Sequence, residues 1–383
     1  MMKLRFAAII SSTLVIFFLI NWYIGWNGWV LLSAIFPLEN PLLYSIVIGI
    51  FSLAYLIGRL TQSFKIRPIA YLLKWIGSYW FAIIQYAVLL LPPADLIVWL
   101  LVKASLPASS AIIIVGTITF ILMAALLIVG SWNAWMPVVR TYHVTIPKKA
   151  GSLDKIRIGM VSDIHLGTIV GKRHLERLVS EMDKMKPDII LMPGDVIDDD
   201  IKPFIQDDMG SVMRKLHAPL GIYAVLGNHE YFGGHIQQFV NEMKAIDIHV
   251  LQDESILIED SFYIIGRKDA TAQRSDVEGR QSISSLTAAV DHSLPLIMMD
   301  HQPTDLGQAA ANGIDLSLSG HTHRGQMAPN HLITRRLFEL DWGYMKKEGL
   351  NAIVSSGFGT WGPPVRIGSR SEVIQIEVKF RPV

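Results

Sequence analysis

Four long apolar runs at the start of the chain constrain it most, because inside lipid only helices or closed barrels satisfy their own backbone. Leu4 to Tyr23, with Lys3 and Arg5 at its start, is about the 20 residues that a helical crossing needs. Leu42 to Leu60 is a second run, and a third lies between Trp75 and Val102, blurred by Lys74, Pro92-Pro93 and Asp95. Ala111 to Ala134 is the fourth. No small-residue cleavage site follows the first run, and Asn21-Trp22-Tyr23 with Trp26 to Trp29 resembles an interfacial aromatic belt. The segment is therefore read as a retained anchor and not as a signal peptide. Buried hairpins of a soluble core are the plain alternative, but runs this long with so few charges do not suit them. Asp95 and Lys103, near Pro92-Pro93 and Pro107, read as interfacial side chains that snorkel toward water.

The basic residues set an orientation, since Lys and Arg gather on the cytoplasmic side of short loops. The first loop holds Glu39 and no basic residue, the second Arg59, Lys65, Arg67 and Lys74, and the third only Lys103. Arg140, Lys148 and Lys149 follow the fourth run. This alternation predicts a multi-pass protein of the cell (inner) membrane with both termini in the cytoplasm. The division expected is a membrane region at 1–140, a linker at 141–154 around Pro147-Lys148-Lys149, and a second domain at 155–383. The formal net charge of +1 implies no polyanion partner, so no nucleic acid is expected. Absent cysteine excludes disulfides and thiolate metal sites.

After the linker the pattern becomes strand-like runs alternating with amphipathic ones. Ile156, Ile158 and Met160 lead to Asp163-Ile164-His165, and Ile189 to Met192 lead to Gly194-Asp195. Gly221 to Leu226 lead to Gly227-Asn228-His229-Glu230; Leu296 to Met299 lead to His301, and Leu316 to Ser319 lead to Gly320-His321-Thr322-His323. Singly, each box has a plain reading: Gly-Asn is a common turn and Asp-x-His a solvated strand end. In extended chain, Asp163 and His165 share a face, as do His321 and His323 with Thr322 turned away. Together, in order and at strand ends where sheet proteins gather ligands, the boxes predict a metal centre.

Asp163, His165, Asp195, Asn228, His301, His321 and His323 are too many donors for one ion that keeps open positions. They suit two divalent ions sharing one carboxylate, a pair held about 3.5 to 4 Å apart that clamps a phosphoryl group and activates water. His229, left over beside Asn228, is placed to give a proton to the departing oxygen. Oxygen and imidazole donors suit Mn, Zn, Fe or Mg without choosing among them.

With these boxes in order, the chain from about Lys155 to Phe380 resembles the calcineurin-like metallophosphoesterases. The resemblance implies two packed mixed β-sheets with helices outside, an αββα sandwich, following the transmembrane region. It implies that Asp163, His165 and His323 hold one metal, that Asn228, His301 and His321 hold the other, and that Asp195 bridges them. His229 takes the family's proton-donor position. Gly320 to Gln326 and Gly357 to Gly362 look like the membrane-associated bacterial branch. An acidic pair would be expected after Gly266-Arg267, where this chain has Lys268-Asp269.

Other features fill in the domain. Leu175, Leu178, Val179 and Met182 predict a helix ended by Pro187, and Ile236, Phe239, Val240 and Met243 another. Ser255 to Ile258 and Phe262 to Ile265 read as a hairpin, and Ala352 to Ser356 and Val373 to Val378 as late strands. Asp198 reads as supporting the metal centre and Asp199 and Asp200 as solvated; His174, His217, His235, His249, His292 and His331 are given no role. The polar loop from Arg267 to Arg280 is long enough to cover the centre, and Arg267 or Arg274 offers a phosphate fork. Phe338, Trp342, Phe358 and Trp361 are candidates for an apolar groove. A tether this short favours a phosphate carried on a lipid; because the resembled family includes hydrolases of nucleotide-linked acylated sugars, the specific candidate is a diphosphate such as an acylated UDP-glucosamine, with a peptidoglycan or phospholipid phosphoester behind it. The rivals are a non-catalytic metal-bearing scaffold and a hydrolase of soluble nucleotides.

Overall fold

Apolar side chains without breakers give long helices, and a computed structural model of the chain shows where each stops. It describes residues 2–61, 67–276 and 278–381. Lys65, Val277 of the polar loop, and the side chains of Lys3 and Arg5 lie outside that description. Helices α1 (Met2–Ile35), α2 (Pro41–Thr61), α3 (Arg67–Lys103) and α4 (Ala108–Trp135) include four spans long and apolar enough to cross a membrane.

Two of these helices differ from the sequence expectation. α1 continues through the Trp22 to Trp29 belt, because the first backbone breaker is Pro37, just beyond its end. α3 runs for 37 residues straight through Pro92-Pro93, at the cost of the hydrogen bonds those two nitrogens would have donated. Asp95 accepts a hydrogen bond from the Tyr23 hydroxyl, so α3 has a polar tie to α1. A second tie is buried. Trp80 Nε1 and Ser52 Oγ both donate to Asn21 Oδ1, at 2.7 and 2.8 Å, joining α3 and α2 to α1. Gly77 lies against the backbone of Tyr55, the close approach that small residues allow between apolar helices.

Contacts divide the chain into a unit before Gly130 and a unit from Gly130 onward. The second unit begins with the last turn of α4, then β1 (Val138–Ile146), β2 (Lys155–Met160), α5 (Lys172–Met185) and β3 (Ile189–Pro193). Next come α6 (Lys202–Gln206), α7 (Gly210–Met213), β4 (Ile222–Val225), α8 (Asn228–Gly233), α9 (Ile236–Lys244) and β5 (Ile248–Leu251). The hairpin β6 (Glu254–Ile258) and β7 (Phe262–Gly266) is followed by α10 (Ala272–Ser275), α11 (Ile283–Thr287), β8 (Leu296–Met299), α12 (Leu306–Ala311) and β9 (Leu316–Ser319). A 3-10 turn at His323–Gly325, α13 (His331–Leu337), β10 (Gly343–Lys347), β11 (Leu350–Val354) and β12 (Glu372–Phe380) complete it.

The strands form two mixed six-stranded sheets, in the orders β1-β12-β2-β3-β4-β5 and β10-β11-β9-β8-β7-β6. Their facing sides share one core that includes Ile158, Met160, Leu191, Ile264, Ile297, Leu318, Ile353 and Ile376. Each such aliphatic side chain contributes about 1.5–3 kcal/mol by leaving water. Outside the first sheet, α5 buries the expected Leu175, Leu178, Val179 and Met182 and ends at Lys186 in a left-handed cap before Pro187. Outside the second sheet, Leu286, Val290 and Ala309 do the same. β2, β3 and β4 are parallel neighbours, as are β8 and β9, so their carboxyl ends gather at one edge.

The linker expected at 141–154 needs correcting. Its first half is strand: β1 pairs in parallel with β12 from Val138 opposite Glu372 to Ile146 opposite Phe380. Alternate side chains Val144 and Ile146 are buried. Arg140 and Lys148, read from sequence as loop charges, are structural as well. Arg140 Nε lies 2.5 Å from the buried carboxylate of Glu372, and Lys148 Nζ lies 2.7 Å from Asp315. Glu372 also accepts from Ser356 N at 2.7 Å, so removing Arg140 leaves its charge only partly answered. We therefore expect Arg140→Met to lower unfolding stability of the solubilised full chain by about 1–3 kcal/mol. Adding Glu372→Gln should recover part of that loss, as read from denaturant midpoints; an unchanged midpoint for Arg140→Met would contradict the pairing.

Candidate metal centre

Side chains meet at this edge because the backbone there is forced out of the extended region. Asp163, His165, Asp195, His321 and His323 have φ of 51°, 51°, 53°, 71° and 47°. A non-glycine residue at such angles costs roughly 1–2 kcal/mol, and strain of this kind collects at functional sites. Extended chain would bring these pairs together through strand alternation. They converge through left-handed turns instead. Glycine makes the turns possible at two points: Gly194, at φ 85°, leaves no room for a Cβ beside the His301 ring, and one at Gly320 would strike Asp163 Oδ2.

The structure brings all seven expected donors together. His165 Nε2 and His323 Nε2 are 3.0 Å apart, His323 Nε2 is 3.5 Å from Asp163 Oδ1, and His165 Nε2 is 3.8 Å from Asp195 Oδ2. On the other side of Asp195, His301 Nε2 lies 3.1 Å from the same Oδ2 and 3.1 Å from Asn228 Oδ1, which is 2.8 Å from His321 Nδ1. Two clusters thus share one carboxylate. His321 is half-buried and the other six are buried.

The donors also fit a metal in chemistry. His301 Nδ1 lies 2.9 Å from the carbonyl of Pro193, which only accepts, so Nδ1 carries a proton and Nε2, turned toward Asp195 and Asn228, is the ring position left for a second proton or a cation. Asp163, His165 and His323 each bring a ligand atom to within 4.8 Å of the others, as do Asp195, His301 and His321. Packing such donors together out of water requires positive charge. Burial pushes the Asp163 carboxyl up to about 6, and Glu230 to about 8. Burial opposes protonation of His301 too, but the carboxylate of Asp195 outweighs it and holds the ring well above its usual pKa. Burial brings His165 and His321 each down to about 4, which keeps both rings free to bind.

His229 stands at the rim of the centre with a different environment. Its ring meets that of His165 edge to face at 4.7 Å. Its Nδ1 is 2.7 Å from Asp199 Oδ1 and 3.4 Å from Asp198 Oδ1, an ion-pair distance although not aligned as a hydrogen bond. Burial lowers the pKa of His229, but Asp198 and Asp199 raise it further, to about 10. Asp199 is thus not a purely solvated residue, as the sequence suggested, but the nearest partner of His229.

Several other expectations are corrected. Arg267 is no free fork: it is buried and lies 3.0 Å from Asp300 and 2.7 Å from Asp305. Lys268 holds Asp276 at 2.7 Å, an ion pair that joins the segments before and after α10. His174 is buried, with its ring stacked on Phe358 at 4.2 Å. Phe358 is core, and Trp342 is held by Arg140 and Arg324, 4.8 and 4.0 Å from its ring centre, with Nε1 toward Glu372, so neither lines a groove. Trp361 and Phe338 do border the centre, at 6.5 Å from His229 and 5.9 Å from His321. Phe232, not singled out in the sequence, joins them at 5.9 Å from His229.

Two supporting residues also escaped sequence reasoning. Glu230 accepts from the backbone nitrogens of Gly227, Ile197 and Asp195 at 2.7, 2.9 and 3.2 Å, locking two boxes together. Its place beside His229 was the available signal. Arg366 is fully buried, with Nη2 3.2 Å from His323 Nδ1 and bonds to the carbonyls of Ser356 and Gly359. Nothing in the sequence distinguishes it from a surface arginine.

Comparison with known proteins gives the same family. Residues 156–325 match the family described as calcineurin-like phosphoesterase. A protein of Aquifex aeolicus described as an uncharacterized metallophosphoesterase is 31% identical over 249 residues, 63% of this chain and 94% of that protein. A Danio rerio protein described as a transmembrane protein with metallophosphoesterase domain is 29% identical over 274 residues, 68% of this chain and 62% of its own length. A Helicobacter pylori protein described as an uncharacterized metallophosphoesterase is 30% identical over 232 residues, 59% of this chain and 60% of its own. The match thus spans under two thirds of the latter two.

Proposed function

The chain belongs to the calcineurin-like metallophosphoesterases, and from that membership we propose that it is a two-metal phosphoesterase anchored in a membrane by its apolar helices. Its substrate would be a phosphate ester or diphosphate carried on a lipid. The observation that carries the catalytic reading is the doubled donor cluster built on one shared carboxylate. Asp163, His165 and His323 would hold one divalent ion, Asn228, His301 and His321 the other, and Asp195 both. Mn, Zn, Fe and Mg all suit these donors. Once bound, such ions supply Lewis acidity to the phosphoryl group and to the attacking water.

The protein's own groups account for the remaining demands. With a pKa near 10, His229 holds its proton at neutral pH and gives it to the departing oxygen, while Asp199 orients the ring. Glu230 keeps the Asp195 and Asn228 boxes in register. Trp361 and Phe232, 61% and 64% exposed, set apolar surface beside His229, and Phe338 sets it beside His321. That rim supports an amphiphilic substrate more than a free nucleotide.

Asp195→Asn and His229→Ala should separate two roles. The first should cost both metals and turnover; two metals per chain by elemental analysis with near-normal rates would refute the bridge. The second should keep both metals and slow poor leaving groups most, by about 10²–10⁴-fold. Because the acid form of His229 is full below its raised pKa and lost as pH rises through it, Asp199→Asn should move the alkaline limit of turnover downward.

For the substrate, purified full chain is compared on a lipid phosphoester and on a short-chain analogue with the same headgroup. We expect a clear preference for the lipid; equal kcat/KM would reject the lipid reading and leave the phosphoesterase intact. The loop charges support a cytoplasmic catalytic unit. Alkaline phosphatase fused after Val383 should then be inactive in a bacterial host, and an active fusion would reverse the orientation.

A further inference from the structure

Helix α13 buries none of its side chains. Leu332, Ile333 and Leu337 are 55%, 59% and 72% exposed, three large aliphatic groups on a helix of seven residues. Ile333 and Leu337 are four apart, as are Leu332 and Arg336, so these four positions make one face. Arg335 and Arg336 are both exposed beside them, while the acid that follows, Glu339, is engaged by Lys347 at 2.7 Å. A water-facing helix would not display such a patch, and aliphatic groups flanked by arginines are the composition that lies in a lipid interface.

The helix is not a loose appendage. Thr334 Oγ1 donates to Asp341 Oδ2 at 2.8 Å, and Gly325 sits so close to the backbone of Asn330 and His331 that a Cβ there would meet it at 2.5 Å. The start of α13 is therefore packed on the turn that carries His321 and His323, and Phe338, directly after its end, faces His321. Only Met136 and Pro137 separate α4, a candidate membrane span, from β1, so a bilayer that held α4 would be joined to this unit by a short connection.

We propose that α13 is a bilayer-docking element: Leu332, Ile333 and Leu337 enter the boundary between headgroups and acyl chains of an anionic phospholipid surface, and Arg335 and Arg336 meet the lipid phosphates. Docking there sets the His321 side of the centre beside the headgroup layer. The proposal concerns a surface and does not depend on turnover or on bound metal.

The absence of cysteine makes the test direct, because a single introduced thiol carries the only label. The full chain bearing Ile333→Cys, Leu337→Cys or, as a control, Gln238→Cys at an exposed position of α9 is labelled with an environment-sensitive fluorophore. Each is reconstituted into phosphatidylcholine vesicles with or without phosphatidylglycerol. At 333 and 337 the fluorescence should be quenched by lipids carrying a nitroxide near the headgroup, at least about twofold more than at 238, and protected from aqueous iodide. Arg335→Gln with Arg336→Gln should reduce that lipid quenching about threefold in anionic vesicles and little in zwitterionic ones. Iodide access at 333 and 337 equal to that at 238, without lipid quenching, overturns the proposal. So does protection from both quenchers, which would mean that protein covers the helix, whether another segment or a second copy of the chain. All labelled positions are exposed, so their substitution removes no core contact, and a hydrolase with an undocked α13 or a docked protein without turnover is recognised separately.

Discussion

A buried carboxylate, that of Asp195, holds the two halves of the centre together, and the surrounding structure exists to keep it in place and charged. Its Oδ2 faces His301 and His165, its Oδ1 accepts from His229 N at 3.0 Å, and its own backbone nitrogen is bound by Glu230. An unpaired charge at such depth would cost several kcal/mol, and the left-handed backbone at five of the donor residues adds strain of about 1–2 kcal/mol each. Those costs are local. They are offset by the apolar core between the sheets, which fixes the ends of β3, β4 and β8 rigidly enough for the turns after them to stay strained.

The same division of labour explains what could be read from the sequence. Strands such as Ile189–Pro193 announce themselves by composition, and glycine before the polar box marks where the backbone must turn, so the boxes at Asp195, Asn228 and His321 stood out in order. The buried face of α5 was legible because burial repeats with the helical period, and its C-terminal end because Pro187 follows. What was hidden depends on distant partners. β1 has polar and apolar residues in a pattern that a linker also allows, and only pairing with β12, more than two hundred residues later in the chain, makes it a strand. Arg267 was read as a phosphate ligand because its side chain permits that, whereas Asp300 and Asp305, over thirty residues away, already occupy it. Asp199 looked like one of three solvated acids until the fold set His229 next to it.

Arg366 shows how far such non-local control extends. Segment 356–371 has no strand of its own, yet Phe358 N donates to Ser162 O and Gly359 N to Asp163 O, so it forms one wall of the donor cluster. What positions that wall is the Arg366 guanidinium. Burial lowers its pKa to about 10, which leaves it charged at neutral pH, and carbonyl oxygens of Ser356 and Gly359 satisfy it. The Arg366 backbone in turn donates to Gly130 O and accepts from Asn133 Nδ2, both in the last turn of α4. One buried arginine therefore connects the end of an apolar helix with His323 through a chain of short, directional bonds.

That connection gives the short junction after α4 a meaning that its sequence does not. With Met136 and Pro137 alone between helix and strand, the chain has no slack, and Ser371 N bonded to Asn133 O starts the register in which β12 then pairs with β1. The loop-closure entropy of a longer tether would weigh little on stability. Here the tether is itself part of a sheet and of the wall beside Asp163. The end of α4 from Gly130 onward is thus hydrogen-bonded to the segment that walls the donor cluster, so it is as much a component of the centre's scaffold as β2 or β3.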